Sequence, residues 1–360
     1  MRLTSAAVNL RDKVIRRGIA DLTRMPRTAI AAGPHGTLYR YLPLPADPDH
    51  PADPAGPAVH GRPVLLVPPL GAPGSAYDLR RGCSLVEHLL QAGRTVYLID
   101  YRPISFAERG LGMEHWVDDV VPDAIRRVAA DAGSGVHLVA WSLGGIFALL
   151  TVAAAVEAGE PLPVHTITAI GSPVDISAVP LVAPLRPLAA VTGGRGLSAV
   201  YQLVGSFPAP VVSWAFQLTA VDKLVTKPLT LLSRLDDRDC LAQIEAVDHL
   251  MNNMHGYPGR VFGQIYHLLL RNNDLADGKL ALSGRSIPLS AVEVPVLVVA
   301  GRSDVIAPLA AVQRVAGLLT GSPEVRFETA PGGHLGVLTG RRARETTWAH
   351  LDRFLDDHAP

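Results

Sequence analysis

The chain has 360 residues, 48% of them hydrophobic, with 33 basic and 33 acidic side chains. With a net charge of zero, nothing argues for the basic footprint of a nucleic-acid binder. The hydrophobic fraction suffices for one large core, and no unbroken apolar run reaches the roughly 18–20 residues of a membrane span.

The first 27 residues are basic, with Asp12 and Asp21 as their only acidic members. Val8, Ile15, Ile19 and Leu22 recur at helical spacing. That pattern reads as a helix packed on the domain with a solvated basic face; contact with an anionic lipid surface is the alternative. No signal peptide is expected, since arginines rather than a cleavage site follow the first apolar cluster. Cys83 and Cys240 have no metal-type spacing and point to a reducing, cytoplasmic compartment. Gly36 to Leu42 reads as a strand. Pro45, Pro48, Pro51, Pro54 and Pro57 then recur every third residue, as in an extended surface loop.

From Arg62 onward, short apolar runs alternate with helical patterns. Strands are expected at Pro63–Val67, Thr95–Ile99, Val136–Ala140, Val164–Ile170, Val296–Ala300 and Glu324–Glu328. Helices are expected at Ser84–Gln91, His115–Ala130, Ala310–Leu319 and Arg344–Leu355. Continuously apolar strands between helices predict an α/β fold: a mostly parallel sheet covered on both faces. Between Ile176 and Val294 the alternation stops. Val179 to Val221 carries only Arg186 and Arg195 as charges and is broken by prolines and glycines. An apolar insertion of this kind predicts a mainly helical cap over the sheet.

The sequence VHLVAWSLGGIFALL, Val136 to Leu150, runs strand, serine, two glycines, helix. This is the pattern of a nucleophile elbow, with small residues, Ala140 and Gly144, two positions either side of Ser142. A base and an orienting acid should follow in the order Asp, His. Asp304 lies beyond the strand ending at Ala300, and His334 lies in PGGHLG beyond the last strand. Ser142 would be the nucleophile, His334 the base, and Asp304 the group that fixes the imidazole. The oxyanion needs backbone donors. Leu143 supplies one; Pro68 and Pro69 have no N–H, so Leu70 or Gly71 supplies the other. His115 with Asp118, Asp119 and Asp123 reads as a helix's acidic face rather than a metal site. His249 and His255 read as structural, and Trp141 as packed under the cap.

Several segments together resemble polyhydroxyalkanoate synthases, a branch of the α/β-hydrolase superfamily. They include LLVPPLGAP, SLVEHLLQAGRTVYLIDYRP, GSPVDIS, MHGYPGRVFGQIYHLLLRNNDLADGKL, GRSDVIAP and PGGHLGVLTG. The resemblance covers roughly Arg62 to Asp357. It implies the α/β-hydrolase fold, and Asp304 and His334 match the family's acid and base. The family carries cysteine, flanked by glycine, at the elbow. This chain has Ser142 and Ala140 instead.

The expected division is 1–60 for the basic helix and proline-rich linker, 61–176 and 291–360 for the two parts of the core, and 177–290 for the cap. The first functional reading is a serine esterase or lipase acting on a hydrophobic acyl ester or thioester. The second is an acyltransferase using hydroxyacyl-CoA, and the third a non-catalytic lipid- or granule-binding protein. The chemistry requires no metal and no organic cofactor. Peripheral contact with a membrane or lipid granule, and a homodimer, are left open.

Overall fold

In the computed structural model, the described residues are 8–9, 11–12, 18–44, 61–179, 206–207 and 233–359. Their main feature is an eight-stranded sheet. Its strands are β1 (Arg27–Gly33), β2 (Gly36–Tyr41), β3 (Val64–Val67), β4 (Val96–Tyr101), β5 (Val136–Trp141), β6 (Val164–Ile170), β7 (Val296–Gly301) and β8 (Val325–Ala330). They lie in the order β1-β2-β4-β3-β5-β6-β7-β8. Strand β2 pairs antiparallel with β1 and β4; every later pairing is parallel. This is the α/β-hydrolase arrangement.

The sequence pattern explains the layering. β3, β5 and β7 are buried at every position, as strands covered on both faces must be. Successive side chains alternate between two cores. Leu65, Val67, Leu138, Ala140 and Val298 join one core, together with helix α2 (Val121–Ala132) and helix α3 (Leu143–Glu157). Val64, Leu66, Val139, Trp141 and Val299 join the other, with helix α1 (Leu85–Gln91) and the C-terminal helix Ala349–Asp357. Helix α3 is buried along most of its length, which fits its apolar sequence on every side. Ser84 starts α1: its hydroxyl accepts the Glu87 N–H at 3.0 Å and donates to buried Asp78 at 2.7 Å.

The expected N-terminal helix is present at residues 8–9 and 11–12 but does not extend through Leu22. Residues 18–26 carry no helix. Val8 is exposed, while Asn9 and Asp12 are buried. Asp12 pairs with Arg238, and Ile19 packs on Leu241 and Ala242. The polar side of the expected helix therefore faces protein. Strand β1 was not expected either. Its sequence, RTAIAAG, is alanine-rich and it forms a part-exposed edge, so no run of β-branched or aromatic residues marks it. The sheet thus begins at Arg27, inside the segment read as helix and linker.

Residues 180–205 and 208–232 of the expected cap lie outside the described residues. The described remainder of that segment packs into the main cores. In Arg238–Asn252, Ala246 and Leu250 join the core of β3 and α1. In the hairpin of Lys279–Leu282 with Arg285–Pro288, Leu280, Leu282 and Ile287 join the core of α3.

Candidate active site

The strand-to-helix turn after β5 places Ser142 in a conformation that few residues accept, with φ 55° and ψ −126°. A non-glycine residue at positive φ carries strain of order 1–3 kcal/mol. Two hydrogen bonds hold it: the Ser142 N–H donates to the Ile170 carbonyl at 2.9 Å, and its own carbonyl accepts the Gly145 N–H at 3.0 Å. The neighbouring glycines are there for space. A Cβ on Gly144 would stand 2.3 Å from the Val67 carbonyl oxygen, and one on Gly145 2.0 Å from Ser172 Oγ. The first glycine lets the end of β3 and its loop lie against the turn, and the second makes room for Ser172, just past β6. Replacing Gly144 by Ala is expected to cost about 1–3 kcal/mol through overpacking. Gly110→Ala, with nothing within 4 Å of the new Cβ, is the control; denaturant midpoints for the two compare them.

Asp304 and His334 are almost fully buried, at 5% and 7% exposure. The turn after β7 fixes the carboxylate: Asp304 Oδ1 accepts the N–H groups of Ile306 and Ala307, at 2.9 and 2.8 Å. Its Oδ2 lies 2.8 Å from His334 Nδ1. The other ring nitrogen, Nε2, lies 2.8 Å from Ser142 Oγ. An ionised carboxylate only accepts, so Nδ1 carries the proton and Nε2 is left to accept from the serine hydroxyl. The three residues from three strand ends therefore form one hydrogen-bonded line. Ser142 is the part-exposed end of it.

Leu143 is the first residue of α3, so its N–H has no intrahelical acceptor and sits at the positive end of the helix dipole. Leu70 and Gly71 lie in the loop that packs against the turn, with Leu70 buried. Gly171, at the end of β6 with φ 57°, passes close to the line; a Cβ there would lie 3.6 Å from both Asp304 Oδ2 and His334 Nδ1.

Other sequence readings sort out as follows. Trp141 does not point to a cap. It is buried in the core of β3 and α1, and its indole N–H donates to the His334 carbonyl at 3.1 Å. His249 is exposed and its helix lies against the body. His255 contributes its backbone N–H to the Gly71 carbonyl. The acidic residues near His115 are divided among different partners: Asp118 with Arg285, Asp119 with His115, Asp123 with Arg127. Among the described residues no group of His, Cys, Asp or Glu could hold a metal ion. Nor is any described helix long and apolar enough to cross a membrane. Two contributors were missed from sequence, the indole bond of Trp141 and the approach of Tyr257 to Gly71. Both join residues far apart in the chain, and no local pattern marks them.

No family model matches the chain. It is 24% identical over 334 residues to the poly(3-hydroxyalkanoate) polymerase subunit PhaC of Allochromatium vinosum, covering 92% of this chain and 88% of that one. It is 22% identical over 350 residues to PhaC of Thiocystis violacea, covering 97% and 93%. The chain is similar to PhaC over most of its length and carries the α/β-hydrolase strand order. Solved structures similar to this PhaC-like chain include mouse alpha/beta hydrolase domain-containing protein 10, with TM-score 0.49 and 16% identity over 92% of this chain and 98% of that one. A thermophilic esterase from Thermogutta terrifontis gives 0.46 and 15%, over 94% and 100%. At those scores the neighbours add nothing to the strand order, which identifies the fold by itself. Similarity to PhaC supports an enzyme of hydrolase or polyhydroxyalkanoate-synthase type.

Proposed function

We propose that this chain is a serine hydrolase that cleaves a hydrophobic acyl ester or thioester through an acyl-enzyme on Ser142. The observation that carries this reading is the line Ser142–His334–Asp304, with both links at 2.8 Å. Ser142 Oγ attacks the acyl carbonyl while His334 Nε2 takes its proton. Asp304 holds the imidazole tautomer and stabilises the imidazolium. The oxyanion is received by the N–H of Leu143 and by one from the Leu70–Gly71 loop. His334 then returns the proton to the departing alcohol or thiol. Water, deprotonated by the same base, attacks the ester carbonyl and releases the acid and free Ser142.

A second reading is acyl transfer from a hydroxyacyl-CoA to a hydroxyl acceptor, favoured by the similarity to PhaC over most of the chain. Serine at the elbow favours hydrolysis, since synthases of the resembled family use a cysteine there. In both readings the apolar segment within 177–290 is proposed to cover the acyl chain.

Burst kinetics separate the two. With p-nitrophenyl esters of increasing chain length, a hydrolase gives a stoichiometric burst followed by steady release of free acid. Turnover only when a hydroxyl acceptor or hydroxyacyl-CoA is added makes the chain an acyltransferase.

A further inference from the structure

Gly71 is gripped on two sides by residues far along the chain. Its carbonyl accepts the His255 N–H at 2.9 Å. Tyr257 lies along its other flank: a Cβ on Gly71 would stand 2.7 Å from the Tyr257 hydroxyl oxygen and 2.9 Å from a ring carbon. The Tyr257 ring packs against both cores, so the hydroxyl has little freedom to leave.

Burial pushes the Tyr257 phenol up to about 12, with contact to the Gly71 backbone acting in the opposite sense, so a neutral hydroxyl lies against Gly71.

This bears on the oxyanion donor left open by the sequence. Pro68 and Pro69 have no N–H. Neither the Leu70 nor the Gly71 N–H meets a backbone acceptor among the described residues, and the Ala72 N–H closes a turn around them by donating to the Pro69 carbonyl at 3.2 Å.

We infer that Tyr257 is a positioning residue: by lying against Gly71, whose carbonyl His255 holds, it fixes the Leu70–Gly71 peptide that carries the second oxyanion donor. No proton moves; Tyr257 stays neutral and acts through the loop. The inference rests on the proposed role of Ser142. It also explains why a glycine stands at position 71, where any side chain would displace the tyrosine.

Wild-type protein is first treated with a p-nitrophenyl phosphonate and the adduct mapped. Failure to label Ser142 removes the proposed site and the inference with it. Given labelling, Tyr257→Phe keeps the ring and removes the hydroxyl that lies against Gly71. Its kcat on p-nitrophenyl esters should fall about tenfold or more, with KM changing less than about twofold, because the lost order matters only to the tetrahedral state. Affinity for a phenylboronic acid, which mimics that state, should fall by the same factor. Gly71→Ala, which forces the phenol away from the opposite side, should give the same split. Unchanged kcat and boronate affinity in both variants, with labelling intact, overturn the role of Tyr257 alone. A rise in KM matching the fall in kcat/KM, at constant kcat, also overturns it, since that is loss of substrate binding.

Discussion

Ser142→Ala is expected to lower kcat by about 10⁴–10⁶ on any ester the wild-type protein turns over. The reason lies in the connected line of hydrogen bonds. His334 Nε2 has Ser142 Oγ at 2.8 Å, so removing that oxygen removes both the nucleophile and the proton that the base is placed to take. The buried Asp304–His334 pair then has nothing to act on. Residual turnover should come from the backbone donors and from binding, with water attacking directly. Stability should change little, because the side chain is part-exposed and the strained turn is held by its backbone bonds to Ile170 and Gly145. The measurement is the burst amplitude together with kcat and the melting temperature. A burst that survives in the variant would place the nucleophile elsewhere. Asp304→Asn should cost less than loss of the serine yet still at least about 10³, because the amide can donate to Nδ1 and impose the unproductive tautomer.

The second large effect concerns acid stability. His137 lies at the start of β5 with no exposed surface. Its Nδ1 meets Thr166 Oγ1 at 2.8 Å, and its Nε2 has no hydrogen-bond partner among the described residues. Burial, then the nearby His165, Arg94 and Arg62, push its pKa down to about 3. In the unfolded chain the same imidazole titrates near its ordinary value of about 6.5. Between those values the unfolded state holds a proton that the folded state does not. Stability is therefore highest above about pH 6.5 and declines as the pH falls toward 3, by about 1.4 kcal/mol per pH unit for this group alone. His35, His165 and His255 are lowered as well, each mainly by burial, and act in the same direction. The lowered carboxylates, Glu108, Asp175 and Asp237, begin to contribute only below their unfolded pKa near 4. Urea unfolding from pH 6.5 to 4.5 therefore isolates the histidines. In His137→Gln the slope of stability against pH should drop by one proton's worth, whatever the variant does to stability at pH 7. An unchanged slope would mean that the His137 site takes up its proton in the folded state.

Much of the fold was legible in the sequence because parallel strands covered on both faces are continuous apolar runs. Val164–Ile170 has the expected bounds, and the other five expected core strands differ by a few residues at their ends. The helices expected at His115 and Arg344 begin instead with a π-helical turn; the wider turn leaves the apolar spacing almost unchanged, so periodicity does not reveal it. Strand β1 was invisible because a part-exposed edge strand of small residues has no strong alternation. The hairpin at 279–288 was hidden within a segment read as cap.

The sequence by itself determined the order of the chemistry: a serine after an apolar strand, then an aspartate, then a histidine, each just past a strand end. Local spacing carries that information because a parallel sheet brings strand ends to one edge. It also determined that proline removes two of the loop's possible oxyanion donors. Only the tertiary structure decided which side chains meet across it. Ser142, Asp304 and His334 are joined by two hydrogen bonds spanning 192 and 30 residues of chain. Trp141 turns to a core and holds the His334 carbonyl, and Tyr257 reaches Gly71 from far along the chain. Such contacts depend on how separate layers pack, and packing between distant segments leaves no period in the sequence to read.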